Sequence, residues 1–179
     1  MTTPPVFVAN TVLSAAQMNA IGLWLVKTQT IGTTVSSVTV TGAFSADYDA
    51  YKIVITGGNT SADCELRMQL GSATTDYYSS IIGVTSANAV TSTRRNNTVA
   101  HFDFVGTGST NMMTANIEII NPFLAKTKTL TAANILPTAN MSTTTGYMDS
   151  LTSFTAFTIS PSTGTMTGGK INIYGYRLG

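Results

Sequence analysis

Cys64-Glu65-Leu66-Arg67-Met68-Gln69-Leu70 is the stretch that decides the fold. Cys64, Leu66, Met68 and Leu70 alternate with Glu65, Arg67 and Gln69. Successive side chains of a strand point to opposite faces, so this period of two makes one face apolar and the other polar, as in a half-buried strand. The same reading extends to Tyr51–Thr56, Tyr77–Val84, Val99–Phe104, Met112–Ile120, Thr127–Leu136, Thr145–Leu151, Thr155–Ser160 and Lys170–Arg177. Turn signals separate these runs: Gly57-Gly58-Asn59, Ser86-Ala87-Asn88, Gly106-Thr107-Gly108, Asn121-Pro122, Ser162-Thr163-Gly164 and Gly168-Gly169. Many short strands with turns between them predict an all-β antiparallel sandwich or barrel. No helix-length periodic segment interrupts them, which argues against βαβ units, and no internal repeat suggests a propeller or β-helix.

Composition agrees. Only 9% of the residues are charged, while 33 of 179 are threonine; an average domain is about 25% charged. With 43% hydrophobic residues the chain can still build a core. Threonine is β-branched and carries a hydroxyl, so it suits a strand whose outer face is wetted by hydroxyls instead of charges. This balance fits a structural or adhesive protein better than an enzyme. The net charge of +1 argues against nucleic acid as a partner. Cys64, the single cysteine, excludes an intramolecular disulfide scaffold. The opening MTTPPVFVAN lacks the basic region of a leader peptide, and the apolar run at 21–26 is too short to span a bilayer.

The chain divides into residues 1–30, an N-terminal arm, and residues 31–179, a sandwich domain. In the arm Ser14 is a plausible N-cap, residues 15–20 suit a helix and Gly22 signals its end. A helix this short must dock on something. Phe7, Val12, Leu13, Met18, Ile21 and Trp24 are a large apolar load for such a segment, so they are the expected attachment residues.

Phe7–Ala20 (FVANTVLSAAQMNA) resembles the F-x-A-G-x-V-L-T-A-A-x-M-N opening of many tailed-phage tail and minor virion proteins. Phe7, Ala9, Val12, Leu13, Ala15, Ala16, Met18 and Asn19 match; Asn10 replaces a glycine and Ser14 a threonine. Phe44–Ile55, Leu66–Gly71, Tyr77-Tyr78 and Gly168–Arg177 together are similar to a jelly-roll-like domain that recurs in phage tail-fibre, receptor-binding and virion-decorating proteins. The resemblance implies a jelly-roll-like sandwich in a phage virion component of the tail-fibre or adhesin type, with other virion proteins as partners, a homotrimeric assembly and a host-surface glycan as a further partner. The alternatives are a capsid decoration protein and a stand-alone carbohydrate-binding or glycan-hydrolysing domain. The closing strand carries Asn172, Tyr174 and Tyr176 opposite Ile171 and Ile173. Bulk on both faces makes it either a central strand or a subunit interface, and the first three residues are the expected interface set.

Catalytic chemistry finds little support. The eight acids, Asp47, Asp49, Asp63, Glu65, Asp76, Asp103, Glu118 and Asp149, show no local pairing, and most read as turn or outward residues. His101 is the single histidine, and no G-x-S-x-G elbow accompanies it and Asp103. Cys64 and His101 alone do not make a zinc site. The expectation is therefore no enzyme, no cofactor and no metal. Gly106–Asn111 reads as a hairpin loop, and Arg94-Arg95-Asn96-Asn97 as a solvated loop, with a contact to an acidic neighbour or an anionic surface glycan as the alternative. Tyr77-Tyr78, followed by Ser79-Ser80, is the first candidate for stacking on a glycan.

Overall fold

The computed structural model describes Val12 and residues 23–136 and 140–176. Among the described residues the chain forms fourteen strands and no helix. In chain order they are β1 (Leu23–Thr30), β2 (Val38–Val40), β3 (Ala50–Thr56), β4 (Asn59–Thr60), β5 (Cys64–Leu70), β6 (Tyr77–Val84), β7 (Val90–Asn96), β8 (Phe102–Ser109), β9 (Met112–Ile120), β10 (Lys128–Leu136), β11 (Asn140–Met148), β12 (Phe157–Pro161), β13 (Met166–Thr167) and β14 (Lys170–Tyr176). The helix expected at 14–21 lies outside the described residues.

All the pairings are antiparallel. One broad sheet runs β1-β14-β3-β9-β10-β11-β6-β7, and a second runs β2-β12-β5-β8. The hairpin between β8 and β9 joins them: Thr107–Ser109 pair with Met112–Thr114, and the rest of β9 enters the broad sheet between β3 and β10. The inner faces meet in one core. The second sheet supplies Val38, Val40, Leu66, Met68, Leu70, Phe157 and Ile159, and the broad sheet Tyr51, Ile53, Ile55, Ile117, Ile119, Ile171 and Ile173, nearly all fully buried. β5 buries alternate residues as its sequence requires.

Several expectations from the sequence are corrected. Residues 23–30, assigned there to the arm, form β1, which pairs along β14 from Leu23–Tyr176 to Thr30–Lys170. Residues 23–30 therefore belong to the sheet, while Gly22 lies outside the described residues. Arg94 and Arg95 are in β7, an edge strand paired with β6, and not in a loop. The β8–β9 hairpin turn expected in Gly106–Asn111 is confined to Thr110-Asn111, and Gly106–Gly108 lie inside β8, where the glycines are needed because a Cβ at Gly108 would overlap the Thr60 side chain and one at Gly106 the Ala115 side chain.

A bulge in β8 shapes the next layer. Leu66 pairs with Gly106 but Met68 with Phe102, so extra residues of β8 loop out opposite Arg67. Phe104 there has a φ of 55°, a conformation bulky residues avoid. Its carbonyl accepts hydrogen bonds from Asn134 Nδ2 and, at 2.8 Å, from Thr144 Oγ1, which tie β8 to β10 and β11. Lys128 is also fully buried; its Nζ donates to the carbonyls of Lys126 and Ser150, each at 2.7 Å, and sits 5.3 Å from the centre of the Phe154 ring. Burial pushes its pKa down.

Candidate functional site

Strand register places the outward side chains of the broad sheet in rows. One row crosses all eight strands as Leu25, Tyr174, Lys52, Glu118, Thr131, Thr145, Ser80 and Arg94. The next runs Leu23, Tyr176, Ala50, Ile120, Thr129, Tyr147, Tyr78 and Asn96. These residues come from eight segments, and directly opposed residues of an antiparallel pair share a face.

In the second row, Tyr78 and Tyr147 stack with centroids 4.7 Å apart and planes 4° from parallel. Each sits directly opposite the other, so the rings stand side by side above the sheet. Tyr147 is 41% exposed. On its other side lies its register partner Thr129, an exposed residue with a short side chain. In the first row Ser80, Thr145 and Thr131 form a hydroxyl floor, with Arg94 at its β7 end. Together these groups line a groove of about 530 Å³. Arg94 is exposed and has no ion pair among the described residues, whereas Arg95 turns to the opposite face.

The other face of β7 and β8 holds a charge cluster. Asp103, with 2% of its side chain exposed, accepts from Arg95 Nε at 2.7 Å, from Arg67 Nε at 3.2 Å and lies 2.9 Å from His101 Nε2. Glu65 Oε1 is 3.6 Å from Arg67. Burial by itself would raise the Asp103 pKa, but His101, Arg95 and Arg67 outweigh it and bring it down to about 2. The cluster locks β5, β7 and β8 together. Asp103 is thus a buried, paired acid, unlike the outward residue expected from sequence.

Tyr77 is fully buried, and its hydroxyl accepts from the Leu70 N–H at 2.8 Å and donates to the Ala73 carbonyl at 3.4 Å. Desolvation raises its pKa to about 12. It is a core residue and cannot stack on a ligand, so of the expected tyrosine pair only Tyr78 reaches the groove. Asn172, Tyr174 and Tyr176 are half-buried on a strand that has neighbours on both edges. Asn172 Oδ1 accepts from Thr28 Oγ1 at 2.9 Å, and the Tyr176 hydroxyl donates to Glu118 Oε1 at 2.9 Å. β14 is flanked by β1 and β3, and the Asn172 and Tyr176 side chains bond within their own sheet. Of the attachment residues, Trp24 is half-buried in β1 and Val12 is 94% exposed. Phe7, Leu13, Met18 and Ile21 lie outside the described residues.

Tyr147 and the threonines of the floor were not singled out by sequence. Their signal was the outward phase of β10 and β11, which does not by itself reveal which strands are neighbours. A further exposed apolar row, Met141, Val84 and Val90, with Ile82 beside it, lies at the far end of the same face. Among the described residues no group of acids, histidines and cysteines is arranged to hold a metal ion, and no helix is long and apolar enough to cross a membrane.

No protein-family model matches the chain, and no curated protein matches it. Among solved structures, the chain is similar to the tripod from the baseplate of bacteriophage Tuc2009, at 11% identity over 99% of this chain and 76% of that one, with a TM-score of 0.26. A second similarity is to infectious bursal disease virus Gt strain, at 10% identity over 97% and 46% of the two chains, with a TM-score of 0.15. At these scores neither likeness fixes a fold family or a function.

Proposed function

We propose that this chain is a non-enzymatic structural component of a tailed-phage virion, of the tail-fibre or adhesin type. In this reading residues 1–22 attach it to neighbouring virion proteins and the outer face of the broad sheet meets the host surface. The observation that carries the proposal is that face. It is eight strands wide, its middle is floored by exposed threonines, and the Tyr78–Tyr147 stack lies one row from the Arg94 guanidinium, which has no ion pair among the described residues. Such a surface offers large contact area with little charge. The opening FVANTVLSAAQMNA supports the attachment role through its resemblance to phage tail and minor virion proteins.

The wiring supports a jelly-roll assignment as well. The chain alternates between the sheets: β2 in the second, β3 in the broad one, β5 in the second, β6 and β7 in the broad one, β8 in the second, β9 in the broad one, β12 in the second. The neighbours β2-β12-β5-β8 face β3-β9 and β6-β7, with the β10–β11 hairpin inserted between β9 and β6 and with β14 and β1 added outside β3. The jelly-roll proteins that this chain resembles are usually trimeric, and its low charge removes repulsion between copies, so the proposed assembly is a homotrimer.

The test is location. Antibody labelling of intact particles should place the protein on the tail, and a full-length Leu13→Asp, Met18→Asp variant should fold but fail to enter particles. Labelling confined to the capsid shell would overturn the tail-fibre assignment in favour of decoration. Absence from particles would overturn the virion reading.

A further inference from the structure

We propose that the groove over β10, β11 and β6 binds a pyranose that carries an anionic group. The inference deepens the adhesin reading and rests on it for its biological setting, but not for its chemistry. Three features of the groove converge on this ligand. Tyr147 is stacked on Tyr78 on one side, is 41% exposed, and has the short Thr129 as its cross-strand neighbour on the other side. Sugar rings present C–H groups that pack on an aromatic face. The floor of Ser80, Thr145 and Thr131 is a straight row of hydroxyls, each able to donate and to accept, which matches the hydroxyl rim of a sugar. Arg94 closes the row with an exposed guanidinium that no described carboxylate neutralises, and its planar fork pairs with a carboxylate or a phosphate.

Asp76 and Asp149 lie just past the Tyr78–Tyr147 end of the groove, so the anionic group is placed at the Arg94 end. Glu118 is the cross-strand neighbour of Thr131 at the other end of the row, but it accepts from the Tyr176 hydroxyl and stands directly opposite Lys52. Asp103, the acid nearest β7 on the opposite face, is buried and paired. The groove, of about 530 Å³, has room for a sugar residue and part of its neighbour.

The purified full-length protein is titrated with tetragalacturonate, with mannose 6-phosphate and with neutral cellotetraose, followed by calorimetry. Binding is expected for at least one anionic probe and at least about tenfold weaker binding for the neutral one, the factor that charge-assisted pairing supplies. Tetragalacturonate alone would identify a carboxylate site, and mannose 6-phosphate alone a phosphate site. Arg94→Gln should cost about tenfold and Tyr147→Ala about fivefold in affinity for the anionic probe that binds, estimates that follow from losing the ionic partner and the stacking face. Thr131→Tyr fills the floor without touching the core and should abolish binding, with circular dichroism unchanged. Failure of both anionic probes, equal binding of the neutral tetramer, or full binding by Arg94→Gln or Thr131→Tyr would overturn the inference. Particle labelling is independent of these titrations. A tail-located protein that binds neither anionic probe would sink the groove assignment alone, whereas a binding protein absent from particles would sink the virion reading alone.

Discussion

Asp103→Asn is the substitution whose effect can be worked through most fully. Burial of the Asp103 carboxyl favours its neutral form, yet His101, Arg95 and Arg67 hold it ionised down to about 2, against an ordinary 3.8. The folded-state pKa is lowered, so the stability this group contributes is fully present above pH 3.8 and is lost as the pH falls through about 2. At 1.36 kcal/mol per pKa unit the difference corresponds to about 2 kcal/mol. Urea unfolding followed by far-UV circular dichroism, from pH 6 to pH 2, reads this directly. The wild type should lose stability steeply in the acid window. Asp103→Asn should begin lower at pH 6, because Arg67 and Arg95 have lost their charged acceptor, and its acid loss should be smaller by about 2 kcal/mol, so that the curves converge. The other acids are common to both proteins and cancel in the difference. Parallel curves across the window, or a variant more stable than wild type at pH 6, would refute the assignment of Asp103 as an ionised anchor of β5, β7 and β8.

Tyr77→Phe keeps the ring against Phe102 but leaves the buried Leu70 N–H without its acceptor, and should cost about 2 kcal/mol by urea unfolding; an unchanged midpoint would mean that another acceptor replaces the hydroxyl. Gly175→Ala should destabilise by about 2 kcal/mol or more, because a Cβ there would overlap the Tyr48 ring packed on β14. Gly42→Ala provides the contrast: no atom lies within 4 Å of its would-be Cβ, and its cost is limited to the φ of 60°; equal thermal shifts for the two alanine variants would contradict the packing described for Tyr48.

Strands with an unambiguous apolar phase were legible in the sequence, and those held by partners were not. β5 and β14 bury the alternate residues that their patterns predict. β7 offers no such pattern: nearly every residue from Val90 to Asn96 is exposed, and the strand exists because its backbone pairs with β6. Arg94-Arg95 therefore looked like a loop. Gly106–Gly108 looked like a turn because glycine is a turn former, whereas here close approach of Thr60, Leu66 and Ala115 selects it. Asp103 looked outward because Phe102 and Phe104 claim the inward phase. The bulge at Phe104 breaks that phase and turns the carboxylate in toward two arginines from other strands.

The groove shows the same limit at the level of a single residue step. In Tyr77–Val84 (YYSSIIGV) the two alternating faces are almost equal in character: Tyr77, Ser79, Ile81 and Gly83 on one, Tyr78, Ser80, Ile82 and Val84 on the other. Nothing local decides which face is buried, and a one-residue slip would exchange the two sets completely. The decision is made by β8 and β5. Phe102 meets the Tyr77 ring edge-on at 5.0 Å, and the Leu70 N–H takes its hydroxyl, so Tyr77 is drawn inward. Ser79 and Ile81 follow it into the interior. Tyr78 must then face out, opposite Tyr147, with Ser80 beside Thr145 and Arg94. The core contact of one tyrosine therefore positions its neighbour in the groove, and loss of the Tyr77 hydroxyl should loosen the groove as well as the core.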